Sequence, residues 1–242
     1  MRHFVFAAFL ALVASAPARA QRPQPLGPLD EHGVVTFFVA TGTSDAHYRA
    51  GDRDLAAWAL AAWERAARGT LHFEPGDEAT ALVRIYWVPA DAGQYGETRA
   101  ADVAGRRGAV VFVRPDTDAF GLDIAKLAHA DALFRDTIVY LTCVHELGHA
   151  LGLRHTANFE DVMYFFGFGG DIPRFFGRYR DQLHERGDIV RVSGLSDGDL
   201  AQLAALYPRM GARVASATPI FAPAERAPFE FQRTSSILNG VH

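Results

Sequence analysis

Apolar residues run together at some points along the chain and recur at helical spacing at others. Val34 to Val39 (VVTFFV) is β-branched and aromatic without charge, the pattern of a buried strand. Ala81 to Val88 and Ala109 to Val113 read as two more strands, the first followed by turn signals at Pro89 and Gly93. Leu55, Trp58, Ala59, Ala62 and Ala66 share one side of a helix with Asp52 as its cap and Gly69 as its stop; Trp63 lies beside them. Tyr140, Val144, Leu147 and Leu151 recur at i, i+4, i+7 and i+11, the core stripe of a second helix that Asp136 or Thr137 can cap. Ile124 to Phe134 reads as a short helix or loop leading into it. Ser196 and Asp199 form a capping box for a last helix with Leu200, Leu203, Ala204 and Tyr207 on one side and a stop at Pro208. The order strand, helix, strands, helix predicts an α/β fold with a largely parallel sheet.

The second helix carries chemistry as well as core. Residues 145–155 read HELGHALGLRH, so His145, Glu146, His149, Gly152 and His155 spell HExxHxxGxxH, and Met163 follows eight residues later. Residues four apart on a helix share a face about one turn apart, so His145 and His149 can offer two imidazoles to one ion, with Glu146 beside it. A third ligand in tetrahedral geometry cannot come from the same helix, so the chain must stop and swing back. Gly152 permits this, because glycine takes the left-handed conformation of a helix C-terminus without penalty. His155 then closes the site and leaves a fourth position for water, the arrangement of a catalytic zinc. The competing reading is a helix with satisfied core histidines; the helical context that the motif requires is present and argues against it.

HELGHALGLRH followed by DVMY resembles the metzincin clan of zinc endopeptidases and, within it, the matrixin family. The resemblance implies a zincin-like fold: a twisted, mostly parallel sheet with one antiparallel edge strand, an active-site helix and a closing C-terminal helix. It implies that Met163 forms the methionine turn beneath the zinc; its spacing from His155 and the Tyr164 after it are similar to the matrixin pattern. Astacins and serralysins place a metal-binding tyrosine where this chain has Phe165, and typical matrixins have serine where it has Thr156. The tryptophan-bearing helix leading to LHFEP resembles the first helix and second strand of matrixin catalytic domains, and LSDGDLAQLAALYP resembles their closing helix. The likeness covers roughly 34–208. One catalytic zinc held by His145, His149 and His155 is the implied cofactor, with Glu146 as general base and acid in hydrolysis of protein or peptide substrates. A zinc-holding protein that hydrolyses nothing is one alternative, which Glu146 argues against, since a pure binder has no use for that base. Zinc-dependent hydrolysis of a non-peptide bond is another.

The resemblance puts the antiparallel, substrate-binding edge strand within GQYGETRAADVAGRRG, around Tyr95 to Arg99. Typical matrixins hold a structural zinc with histidines and an aspartate in this region; residues 89–118 contain no histidine, so no second zinc is expected. Asp116, Asp118 and Asp123 could help ligate calcium or form a solvated acidic loop. His32, His47, His72, His129 and His184 lack ligand spacing and read as surface or satisfied core residues. The stretch from 165 to 194 is longer than the matrixin loop that walls the main specificity pocket. Its Phe165, Phe166, Phe168, Phe175, Phe176 and Tyr179 either pack on the domain or line a pocket, with Tyr164, Phe165, Phe166 and Phe168 as the wall candidates.

Charge and composition decide the address. Arg2 and His3, the apolar run Phe4 to Ala14 and Ala18-Arg19-Ala20 read as a secretory signal over residues 1–20, the run being too short to span a bilayer. Export to the extracellular space is expected, or to the periplasm of a Gram-negative cell, with no membrane span after cleavage. Without those residues the chain keeps 28 acidic side chains against 22 basic ones, a net charge of −6, and no basic patch that would suit nucleic acid. Residues 21–33 read as an irregular leader, 34–208 as one catalytic domain acting as a monomer, and 209–242 as a flexible tail. Many matrixins are kept latent by a cysteine in a segment before the catalytic domain. The one cysteine here, Cys143, lies inside the second helix and reads as a small inert core residue.

Overall fold

Among the described residues, five strands form one sheet in the order β2-β1-β3-β5-β4: β1 (Val34–Val39), β2 (His72–Pro75), β3 (Val83–Trp87), β4 (Gly96–Val103) and β5 (Arg106–Val113). The first four in that order are mutually parallel, and β4 runs antiparallel to β5 along one edge. This computed structural model describes residues 26–29, 33–90 and 94–209, within the unit Met1–Pro208 apart from Arg209. The expected export signal over 1–20, most of the expected leader and the expected tail after 209 lie outside the described residues.

Parallel neighbours need a crossover, and α1 (Asp52–Ala67) supplies it between β1 and β2. The sheet is buried on one face rather than two. Val83, Ile85 and Trp87 on β3 and Ala109, Val111 and Val113 on β5 are buried, whereas alternate residues are half-exposed. The charge-free run of β1 obeys the same rule: Val35 and Val39 are buried, but Val34 is 40% exposed. On the open face Phe38, Tyr86 and Phe112 of β1, β3 and β5 form a row with ring centroids 6.4 and 6.1 Å apart, and the Arg99 guanidinium lies over Phe112. Apolar residues on that face are therefore a ladder of cross-strand aromatic contacts, not a second core.

The buried face meets α1 and α3 (Ala132–Ala150), preceded by α2 (Leu122–Ala130). The stripe residues Tyr140, Val144, Leu147 and Leu151 are all at most 1% exposed. The start of α3 differs from the sequence expectation. Asp131 caps it, accepting the Leu133 amide at 2.9 Å, while Asp136 sits within the helix and pairs with Arg186, and Thr137 is fully buried. Asp52 is likewise not a cap but the first residue of α1. It is buried and receives Arg135 from α3 through both carboxylate oxygens, Nη2 to Oδ2 at 2.9 Å. The Trp63 indole donates to the Val144 carbonyl at 2.9 Å, a second tie between the two helices. At the β4–β5 turn, Ala104 and Gly105 both have positive φ, 53° and 79°, the geometry of a two-residue type I′ hairpin. That turn is why β5 begins at Arg106, three residues before the expected Ala109, and why β4 extends to Val103.

After α3 come α4 (Ile172–Arg180) and α5 (Asp197–Leu206). The Ser196–Asp199 capping box opens α5 as expected. Leu203 and Tyr207 face the core, but Ala204 is exposed. No helix among the described residues is long and apolar enough to cross a membrane.

Candidate metal centre

The active face begins with how α3 ends. Gly152 has φ +99°; its amide donates to His149 and that of Leu153 to Gly148, both at 2.9 Å, the paired bonds of a Schellman stop. A β-carbon at 152 would also lie 2.1 Å from the Gly27 carbonyl oxygen. The turn sends the chain back, so that His155 faces the two histidines it has just left.

Their geometry fits a metal. His155 Nε2 lies 3.1 Å from His149 Nε2 and 3.3 Å from His145 Nε2. His145 Nδ1 lies 2.7 Å from the Val162 carbonyl oxygen and His149 Nδ1 lies 3.1 Å from that of Leu153. A carbonyl only accepts, so each Nδ1 carries the proton and each opposing Nε2 presents a lone pair. Two lone pairs aimed at a third imidazole repel unless a cation lies between them. Ligand bonds of about 2.0–2.1 Å in a tetrahedral zinc site put neighbouring nitrogens about 3.3 Å apart, which matches the spacing here. Burial holds His145 and His149 below the ordinary histidine range. Desolvation, then its two neighbours, pushes His155 down to about 3. All three are therefore neutral near pH 7, the form that ligates.

Glu146 points from the same helix toward the edge strand and is 6% exposed. Burial raises its carboxyl above the usual range; His149 and the Thr98 hydroxyl act in the opposite sense. Thr98 Oγ1 lies 2.7 Å from Glu146 Oε2. That contact, 48 residues distant, is invisible in the sequence.

Met163 is fully buried against α3. Its loop is closed by a parallel bridge, Thr156 amide to Met163 carbonyl at 2.9 Å and Phe165 amide to Thr156 carbonyl at 3.1 Å. Asp199, fully buried, accepts the amides of Val162 at 2.9 Å and Met163 at 3.2 Å. It thereby fixes the carbonyl of Val162, which orients His145. Asp199 was legible only as half of a capping box; nothing in the sequence marks its second task.

The pocket-wall candidates divide. Tyr164 is 6% exposed with its hydroxyl on the Gly169 carbonyl, and Phe166 packs on Phe175, Phe176 and Tyr95. Phe175, Phe176 and Tyr179 of α4 are buried too. Phe165 and Phe168 face outward, 41% and 64% exposed. They meet edge to face at 5.2 Å, and Phe165 lies over His155 at 4.8 Å. Of the α4 arginines, Arg178 pairs with Glu160 and Arg180 with Asp131, whereas Arg174 is exposed.

Among the described residues the cluster able to hold a metal is His145, His149 and His155. Asp116 pairs with His47 and accepts the Asp118 amide, and Asp118 pairs with His129, so two of the three calcium candidates already have partners. Cys143 is fully buried, and burial raises its thiol strongly. The chain matches the family model described as Matrixin over residues 30–168. No curated protein matches it.

Proposed function

The chain belongs to the matrixin family of zinc metalloproteases, and on that footing we propose that it is an exported, monomeric endopeptidase in which Glu146 is the general base and then the general acid. The observation that carries the reading is the convergence of three imidazole Nε2 atoms, with His155 3.1 and 3.3 Å from the other two, beside a buried Glu146. His145, His149 and His155 would hold the zinc. When bound, such an ion supplies an acidified water, with a pKa of about 7, and polarisation of the scissile carbonyl.

The rest is work for the chain's own groups. Glu146 takes a proton from the attacking water and returns it to the leaving amine, which avoids expelling an amide anion. The Val162 and Leu153 carbonyls hold two imidazoles in one tautomer, so their ligating nitrogens need no proton rearrangement. β4, whose outer edge pairs with no other strand among the described residues, offers backbone groups to an extended substrate. Phe165 and Phe168 supply exposed apolar surface beside His155 for the residue following the scissile bond.

Incubation of a denatured protein with the zinc-loaded chain tests the reading. Internal cleavage that a chelator abolishes and added zinc restores is the expected result. No cleavage by the zinc-loaded chain would exclude it.

A further inference from the structure

This inference rests on Glu146 being the proton-transferring group. Gly96 and Thr98 are two apart on β4 and face the same side of the strand, toward α3. Glu97 and Arg99 alternate with them and pair with each other at 2.7 and 2.9 Å. A β-carbon at residue 96 would lie 2.5 Å from Glu146 Cγ and 2.8 Å from Oε1, so glycine there leaves the space that the glutamate occupies. Thr98 Oγ1 then meets the same residue twice, 2.7 Å from Oε2 and 2.8 Å from the Glu146 backbone carbonyl oxygen.

A hydroxyl has one proton to give and lone pairs to accept with, whereas an ionised carboxylate and a carbonyl only accept. We propose that Thr98 is the positioning residue for Glu146, holding its carboxyl in one place whether or not it carries the transferred proton. While Glu146 is ionised, the threonine O–H donates to Oε2. Once the carboxyl oxygen that Thr98 does not touch has taken the proton from water, Oε2 still accepts, so the threonine O–H keeps its bond. The proton leaves for the amine from the oxygen that received it, and the carboxyl has not moved. Threonine suits this task, because its β-branched side chain is stiff about χ1 and its backbone is registered opposite Val111 of β5.

The test compares Thr98→Val, which keeps the shape and removes the hydroxyl, with Thr98→Ser, which keeps the hydroxyl. In the zinc-loaded full chain, Thr98→Val is expected to lower kcat about 10- to 100-fold, the range for a hydrogen bond to a charged group, with KM within about twofold. Thr98→Ser is expected to recover most of the loss, and bound zinc and melting temperature should stay near wild type in both. In a Glu146→Gln background, Thr98→Val should add less than about twofold, since a residue that acts through another has nothing left to act on. Wild-type kcat in Thr98→Val beside an inactive Glu146→Gln overturns the inference while sparing the reading beneath it. An undiminished extra loss in the Glu146→Gln background, or a parallel fall in zinc content and melting temperature, reduces Thr98 to a structural residue and overturns it too. Wild-type turnover in Glu146→Gln removes the reading of Glu146, and this inference with it.

Discussion

Gly148 and Met163 approach so closely that a β-carbon on the glycine would lie 2.4 Å from the methionine sulfur and 3.1 Å from Trp63 Cζ2. The second variable position of the HExxH helix is thus a contact point between α3, the loop beneath the three histidines and α1. Met163 is fully buried and cannot swing into solvent, so an added methyl must be absorbed by the loop.

Gly148→Ala is therefore expected to destabilise the chain by about 1–3 kcal/mol through overpacking. Because the neighbouring Val162 carbonyl orients His145, it should also weaken zinc retention by about 10- to 100-fold. Denaturant unfolding and competition with a chelator measure the two. Unchanged values in both would mean that the loop moves freely under α3.

Specificity should follow the two outward rings. Burying a leucine-sized side chain against Phe165 and Phe168 is worth up to about 1.5–3 kcal/mol, so large apolar residues just after the scissile bond should be favoured over charged ones by about tenfold or more. Phe168→Ala, which removes the more exposed ring at 64%, should erode that preference with little effect on folding. Cleavage profiling of a randomised peptide library decides it; enrichment of Asp or Glu at that position would overturn the assignment.

The site's skeleton was legible because it is local. Three histidines and a glycine within eleven residues dictate a helix, a left-handed stop and a return, and the structure has each. The sheet was legible where strands are uniformly apolar and shorter than life where they are not: Arg106 and Arg107 open β5, and Arg107 donates to the Ala150 carbonyl at the end of α3, a contact 43 residues away. Helix starts misled for a related reason. Asp131 and Asp136 are equally good caps by composition, and Asp52 looks like one until Arg135 arrives from 83 residues downstream. What the sequence hides is which polar residue meets which, and Thr98, Asp199 and Arg135 all act through such meetings.

The Asp52–Arg135 pair, 1% and 2% exposed, supports a prediction about stability alone. Asp52→Asn removes the nearer carboxylate from a buried guanidinium, leaving it only Asp136 at 3.4 Å, and is expected to cost up to about 3–5 kcal/mol. Replacing both partners, Asp52→Leu with Arg135→Met, should recover most of it. Urea midpoints of the single and double variants make the comparison; a double variant no better than the single one would show that the pair does more than neutralise itself.

Asp188 supplies the pH dependence. Its carboxylate accepts the amides of Glu185 at 3.0 Å and His184 at 2.7 Å and pairs with Arg191; these contacts, the Glu185 amide foremost, hold it below the usual aspartate range. The unfolded chain then takes up the proton at a higher pH than the folded one. The contribution is therefore fully present above the ordinary aspartate pKa of about 3.9 and lost as pH falls through the lower folded value. Asp188→Asn should be less stable than wild type near pH 6, with the gap narrowing as pH falls below the ordinary aspartate value of about 3.9. A gap that does not change with pH would contradict this.

The most direct measurement of the central claim is turnover and bound zinc determined together for Glu146→Gln on a denatured protein substrate. The variant keeps the size of the side chain and the three histidines but cannot take a proton. One zinc per chain, with turnover reduced about 10²- to 10⁴-fold, is the result expected of general-base catalysis. Near-normal turnover at full zinc occupancy would show that another group activates the water.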